Sequence, residues 1–218
     1  MTSTRMTVTG TAVAATLGVA TASWVVAVRH MDGMDMGVGT ELGSFAFFVG
    51  LWVTMMAAMM LPGATPAVVK HAHSSGRVLA VPRFVASYLA VWTLVGIAVY
   101  AVYRPHGTVV AGLTVIAAGL YELTPLKSHF RRCCRERVGS GTLFGLDCVG
   151  SSIGPMLMLV ALGVMSVPWM AAVAVLVFIQ KILSPDPVID VPVALAIVGL
   201  GILIMMAPSS VPGLLPPM

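Results

Sequence analysis

Long apolar runs broken only by short polar gaps recur along this whole chain, and that recurrence limits its fold more than any motif does. Inside a bilayer the backbone N–H and C=O groups must be satisfied within the segment itself, so a run of about 20 apolar residues reads as a spanning helix. The runs are 6–28, 45–61 with an extension toward 69, 84–103, 108–123, 143–165, 169–182 and 191–207, which gives an expectation of about seven spans. The fourth carries Glu122 and the sixth is short, so six spans with a re-entrant segment is the alternative. No run alternates with a period of two as barrel strands do. With 58% hydrophobic and 9% charged residues among 218, the apolar side chains exceed what a water-soluble core of this size can bury. The expected fold is therefore all-α: a polytopic transmembrane helical bundle, with residues 1–218 forming a single integral membrane domain.

Basic residues set the expected orientation. Lys70, Arg77 and Arg83 share one gap, Lys127, Arg131, Arg132, Arg135 and Arg137 share another, and Arg5 and Lys181 fall on the same side, whereas Arg29 and Arg104 fall opposite. This pattern predicts a multi-pass protein of the cell inner (plasma) membrane with a cytoplasmic N-terminus and an outer C-terminus. The first run is longer than a secretory signal core and is read as a helix. The net charge of +4 reflects the loop asymmetry. Because the charges cluster at helix ends without interleaved aromatics, the lipid bilayer is the expected partner and nucleic acid is not.

Sulfur-bearing residues offer the chemistry. Residues 31–36 read Met-Asp-Gly-Met-Asp-Met, so His30, Met31, Met34 and Met36 share one polar gap with Asp32 and Asp35. Thioethers with an imidazole suit Cu(I), and the carboxylates with His30 suit first capture of Cu(II) or Zn(II); the bland alternative is an interfacial loop touching headgroups. In the second span, Met55/Met59 and Met56/Met60 are spaced four apart and form two thioether rows on one stripe, with Ala57 and Ala58 allowing a close neighbour. That stripe reads either as a ladder for a soft ion or, more commonly, as adaptable packing. Pro62 and Pro66 are expected to break or kink the helix there.

Glu122 sits in an apolar run, where a carboxylate costs about 2.5–3.5 kcal/mol at helix centre, so it needs a partner. The candidates are a structural ion pair with Lys127 or Lys181, or a metal ion or proton shared with Asp147 and Cys148. Cys133, Cys134 and Cys148 fall in the cytoplasmic half of this scheme, where thiols stay reduced and a disulfide framework is not expected. Cys133 and Cys134 lie among arginines, a field that favours thiolate, although adjacent cysteines are a weak motif and an inert or lipidated juxtamembrane pair is the competing reading. Metalloprotease, Walker and dinucleotide signatures are missing, so the chain is not expected to be an enzyme.

Three blocks carry a family resemblance: 52–66 (WVTMMAAMMLPGATP), 118–135 (AGLYELTPLKSHFRRCCR) and 148–183 with LGVMSVPWMA and the IQKIL ending. Together with the Met-rich loop and Leu42-Gly43-Ser44, the family-like region is 30–183. The chain resembles the bacterial domain of unknown function 2182 family, predicted metal-binding integral membrane proteins sometimes labelled copper chaperones. The resemblance matches Cys134, Cys148 and Glu122 to family positions, the last often Gln. It also marks departures: Ser151 and Ser152 stand where a Cys pair is usual, Phe130 where Cys is usual and Gln180 where Glu is usual. Copper handling at the outer face is the expectation that follows, with metal ligands drawn from His30, Met31, Met34, Met36, Met55, Met56, Met59, Met60, Glu122, Cys134 and Cys148. Copper would be handed to a membrane or extracytoplasmic metalloprotein. The alternatives are a non-catalytic assembly subunit that packs against a membrane enzyme through the Met/Ala stripe, and an ion- or proton-coupled transporter using Glu122 and Asp147.

Overall fold

A computed structural model describes residues 2–32, 42–75, 80–164, 166–184, 186–211 and 214, with side chains from residue 9 onward. The described residues form α1 (Thr2–Met31), α2 (Phe45–Ser75), α3 (Ala80–Val102), α4 (Thr108–Glu122), α5 (Pro125–Glu136), α6 (Gly141–Leu162), α7 (Val167–Ile182), α8 (Pro187–Met206) and a short 3-10 turn at Pro208–Ser210. The all-α helical bundle is as expected.

Every apolar run forms a helix, but not every helix is a span. Five helices, α1, α2, α3, α6 and α8, are long and apolar enough to cross a membrane, and α4 with α5 makes a sixth if the pair, bent by 64°, is one broken span. The count of seven is thus reduced. The two runs that fall short are the one holding Glu122 and the short one that became α7, of 16 residues. At about 1.5 Å per residue, helices of this length do not reach across a hydrocarbon layer about 30 Å thick. Pro62 and Pro66 do not stop α2, which runs on to Ser75. Each proline instead lacks the N–H that the carbonyl one turn earlier would have used.

Two helices form the centre. In α2 and α6, 56% and 61% of the most apolar stretch is buried, against 22% in α1, α3 and α8. α2 packs on α1, α3 and α7, while α6 packs on α3, α4, α5 and α7; α4 lies along α8. The α4–α8 approach depends on glycine, since a Cβ on Gly201 would sit 2.8 Å from the Gly112 carbonyl oxygen and one on Gly119 would sit 3.0 Å from that of Ala194. Between α2 and α3, Gly96 leaves room for the Trp52 indole, whose Nε1 donates to the Trp92 carbonyl at 2.8 Å. An indole buried this way satisfies its one polar atom on backbone.

Candidate metal centre

The site begins with the turn between α4 and α5. Thr124 caps α5 by accepting from the Lys127 backbone N–H, and Pro125 occupies the first turn, where its missing N–H costs nothing. The new helix points Lys127, Arg131 and Cys134, at steps of four and three, toward the bundle, and leaves His129, Arg132, Arg135 and Glu136 exposed. A buried face that is cationic must be met by anions. Glu122 at the end of α4 pairs with Lys127, and Asp190 in the first turn of α8 accepts both its oxygens' bonds from Arg131 Nη1, at 2.6 and 2.7 Å.

The Glu122 question is therefore answered by Lys127. The pair is deeply buried, Lys127 at 1% and Glu122 at 3% exposure, and Gln180 Nε2 donates to the same Glu122 oxygen at 2.7 Å. Among the described residues the other oxygen, Oε1, has no hydrogen-bond partner, and it lies against Gly154. Sharing with Asp147 and Cys148 is not what the fold builds: Asp147 Oδ1 instead faces Arg137 Nη1 at 3.8 Å. Arg131 Nη2 donates to the carbonyls of Gln180 and Leu183 at 2.6 and 3.1 Å, which ties α5 to the end of α7. Each cation of the network thus faces an anion or a carbonyl.

One residue further along α7 the chemistry changes. Lys181 Nζ donates to Cys148 Sγ at 2.8 Å and lies 3.8 Å from Met60 Sδ, so a single ammonium is held by a thiol from α6 and a thioether from α2. Tyr88 of α3 closes the group, its hydroxyl 3.1 Å from Cys148 Sγ and its ring 6.0 Å from the ammonium. Cys134 of α5 lies 3.7 Å from Ser151 Oγ, and that hydroxyl donates to the Cys148 carbonyl at 2.9 Å. Gly63 makes this arrangement possible, because a Cβ there would meet Lys181 Cδ at 2.6 Å. A cavity of about 380 Å³ opens beside the cluster, lined in part by Gly63, Pro66, Cys134, Ser151, Gln180 and Lys181. Cys148 itself is fully buried behind it.

Among the expected ligands, the fold brings together Met60, Cys134 and Cys148. Met55, Met56 and Met59 are buried with Met60 inside the chain's own bundle. The Met/Ala stripe is therefore covered by this protein's helices and is not a surface for another subunit. Glu122 belongs to the neighbouring ion-pair network. At the opposite end of α2, His30 is exposed and its Nδ1 hydrogen-bonds the Val26 carbonyl at 2.9 Å, while Met31 is buried. Met34 and Met36 lie outside the described residues.

The arginine field expected around the adjacent cysteines is directed elsewhere. Arg131 turns to Asp190, and Arg135 donates to Ser184 Oγ and the Ile182 carbonyl at 3.0 and 2.9 Å. Cys133 faces away from the cluster, with His129 Nε2 at 3.5 Å from its sulfur. All three cysteines are free thiols. Among the described residues no three His, Cys, Asp or Glu side chains converge as a metal-holding group; the soft donors here are two cysteines and a methionine.

Sequence reasoning gave Lys181 only as an alternative partner for Glu122, and it missed Tyr88. The available signal for Lys181 was a lone cation near the end of a short apolar run. Tyr88 carries none, since an aromatic residue in a spanning helix is ordinary. The positions that depart from the family pattern were more informative than they seemed one by one: Ser151, Ser152 and Gln180 all line the same cavity as Cys134 and Lys181.

No curated protein and no solved structure matches the chain. A family model described as PpoB2, copper chaperone, matches residues 49–204, a stretch that begins after the Met-rich loop and contains α3 to α7, Met60, Cys134, Cys148 and Lys181. Spanning well over half of the chain, that match shows that the protein belongs to this copper chaperone family.

Proposed function

We propose that this membrane protein binds Cu(I) at Cys148, Met60 and Cys134 and hands it on without chemical turnover. The observation that carries this reading is the pair of sulfurs, from α6 and α2, that converge on one monovalent cation, the Lys181 ammonium. Thiol and thioether sulfur are the donors Cu(I) prefers over imidazole or carboxylate, and they discriminate against hard ions. The residues fit the cargo in charge as well as softness. Cu(I) and an ammonium each carry one positive charge, so exchanging one for the other adds no uncompensated charge to a buried place.

Copper enters as Lys181 swings off Cys148 into the cavity that its own side chain lines, and the thiol that takes the metal gives up its proton. Cys134, at the cavity wall, is the first sulfur met; Cys148 and Met60 lie behind it. Met56, one turn from Met60, continues the thioether row along α2 toward the end of the helix that follows the Met-rich loop. By the basic-residue pattern the cavity opens to the cytoplasm and the Met-rich loop lies outside, with His30, Met31, Met34 and Met36 as the outer ligands that release copper to a membrane or extracytoplasmic metalloprotein.

The test is Cu(I) titration of the purified protein under anaerobic, reducing conditions against a competing chelator. One tightly bound Cu(I), lost in Cys148→Ser, is the expected result. Equal binding by wild type and Cys148→Ser would remove the site.

A further inference from the structure

The cavity beside Cys134 is lined by Lys70, Arg131, Arg135 and Lys181, and among the described residues no carboxylate lines it. Among the described residues, Arg131 alone of these four is paired with a carboxylate, Asp190. Arg135 spends its hydrogen bonds on a hydroxyl and a carbonyl, which leave its charge in place, and Lys70 is exposed. Lys181 rests on sulfur. The entrance to a site for a cation is therefore itself positive, and a field of one sign repels a free ion of that sign while concentrating its opposite.

We propose that copper reaches Cys134 as the anionic complex of a small carboxylate-bearing thiol, which the cavity binds through Lys70 and Arg135. This rests on the Cu(I) reading above and adds the form in which the metal arrives. The volume of about 380 Å³ suits such a carrier, at the low end of the range for small-ligand sites, roughly 300–1,000 Å³. The carboxylates of the carrier meet the exposed cations at the mouth, and its metal-bearing sulfur faces the Cys134 thiol in the wall. Transfer is a ligand exchange with no change of oxidation state. The bond between Cu(I) and the carrier sulfur breaks, a bond from Cu(I) to Cys134 Sγ forms, and the cysteine proton leaves on the departing carrier thiolate to give the free thiol. The copper then passes to Cys148: the bond from Cu(I) to Cys134 Sγ breaks as one to Cys148 Sγ forms, and the Cys148 proton moves to Cys134.

The experiment uses the full chain in lipid nanodiscs and compares Cu(I) supplied by glutathione, a thiol with two carboxylates, with Cu(I) supplied by cysteamine, a thiol with an amine. The rate of transfer is followed under anaerobic conditions, and the equilibrium Cu(I) affinity is measured separately by chelator competition. Wild type is expected to accept copper from glutathione at least about tenfold faster than from cysteamine, with the ratio shrinking as salt is raised. In the double variant Lys70→Gln/Arg135→Gln the ratio is expected to fall to about one. Equal rates from the two carriers in wild type, or an unchanged ratio in the double variant, would overturn this proposal while leaving the copper site standing. Failure of wild type to bind Cu(I) at equilibrium would overturn the site and the proposal together.

Discussion

Gln180 and Lys181 are neighbours in sequence and point into two different kinds of polar interior. Gln180 joins a set of ion pairs in which Lys127 faces Glu122 and Arg131 faces Asp190. Lys181 faces Cys148 and Met60, with a cavity alongside that no carboxylate lines among the described residues. The contrast separates architecture from function. A buried ion pair is expensive to break and chemically inert, because each charge already has its counterpart. An ammonium held by sulfur can leave for another soft cation, and the donors it leaves behind are the ones Cu(I) prefers. If this division is right, substitutions in the two clusters affect different measurements.

The largest effect is expected in the ion-pair cluster and on stability. Glu122→Leu strands Lys127, and breaking a buried pair from one side costs about 3–5 kcal/mol. Read by thermal unfolding in detergent, the single variant should be strongly destabilised, and the double variant Glu122→Leu/Lys127→Met should recover most of the loss. Both should bind Cu(I) as wild type does where they remain folded. A double variant as unstable as the single would mean that the network does more than balance charge.

Cys148→Ser should show the reverse pattern. Because removing a group that merely orients a ligand costs 10–100-fold, removing the ligand itself should lower Cu(I) affinity by at least about 100-fold, with little change in unfolding temperature. Met60→Leu keeps the packing volume and removes one thioether, and an affinity loss of about tenfold is expected by chelator competition. Should Met60→Leu unfold the protein without affecting copper, the thioether belongs to the core alone.

A smaller gain should follow from restoring sulfur where the family pattern has it. Ser151 and Ser152 line the cavity, and Ser151 already lies 3.7 Å from Cys134. The variant Ser151→Cys/Ser152→Cys should bind Cu(I) several-fold more tightly, on the order of 1 kcal/mol, since thiolate is a better soft donor than hydroxyl. The smallest effect on equilibrium affinity is expected from Met31, Met34 and Met36 replaced together by Leu, less than about threefold, because thioethers alone are weaker donors than thiolate. In vesicles the same triple variant should slow copper release on the outer side. A large affinity loss here would move the main site to the other end of the bundle.

Much of this was legible in the chain. The apolar runs gave the helices, and the short run and the run with Glu122 gave the two elements that fall short of spanning; the basic residues at 70, 131, 135 and 181, expected only to share one side of the membrane, line one cavity. The need of Glu122 for a partner was readable from the cost of a buried carboxylate, and Lys127, five residues on, was among the candidates. What could not be read was which of several equally soft residues would meet. The Met stripe gave the same periodicity whether it faced copper, lipid or its own bundle, because helical spacing fixes a shared face and says nothing about what lies opposite.

The sequence by itself determined that the chain is a bundle of apolar helices, because a backbone in a bilayer must be satisfied in helices or a closed barrel and no run alternates as barrel strands do. It also determined that any soft-metal chemistry would fall to Met and Cys. Only the tertiary structure decided the site. Cys148, Met60, Tyr88 and Lys181 come from four different helices, and their meeting depends on Gly63 admitting the lysine stem, while the Thr124-Pro125 turn aims α5 inward and places Cys134 at the cavity beside them. Such contacts between distant segments arise from helix packing, where the volume of one residue sets how closely two helices approach, and no local pattern encodes that distance.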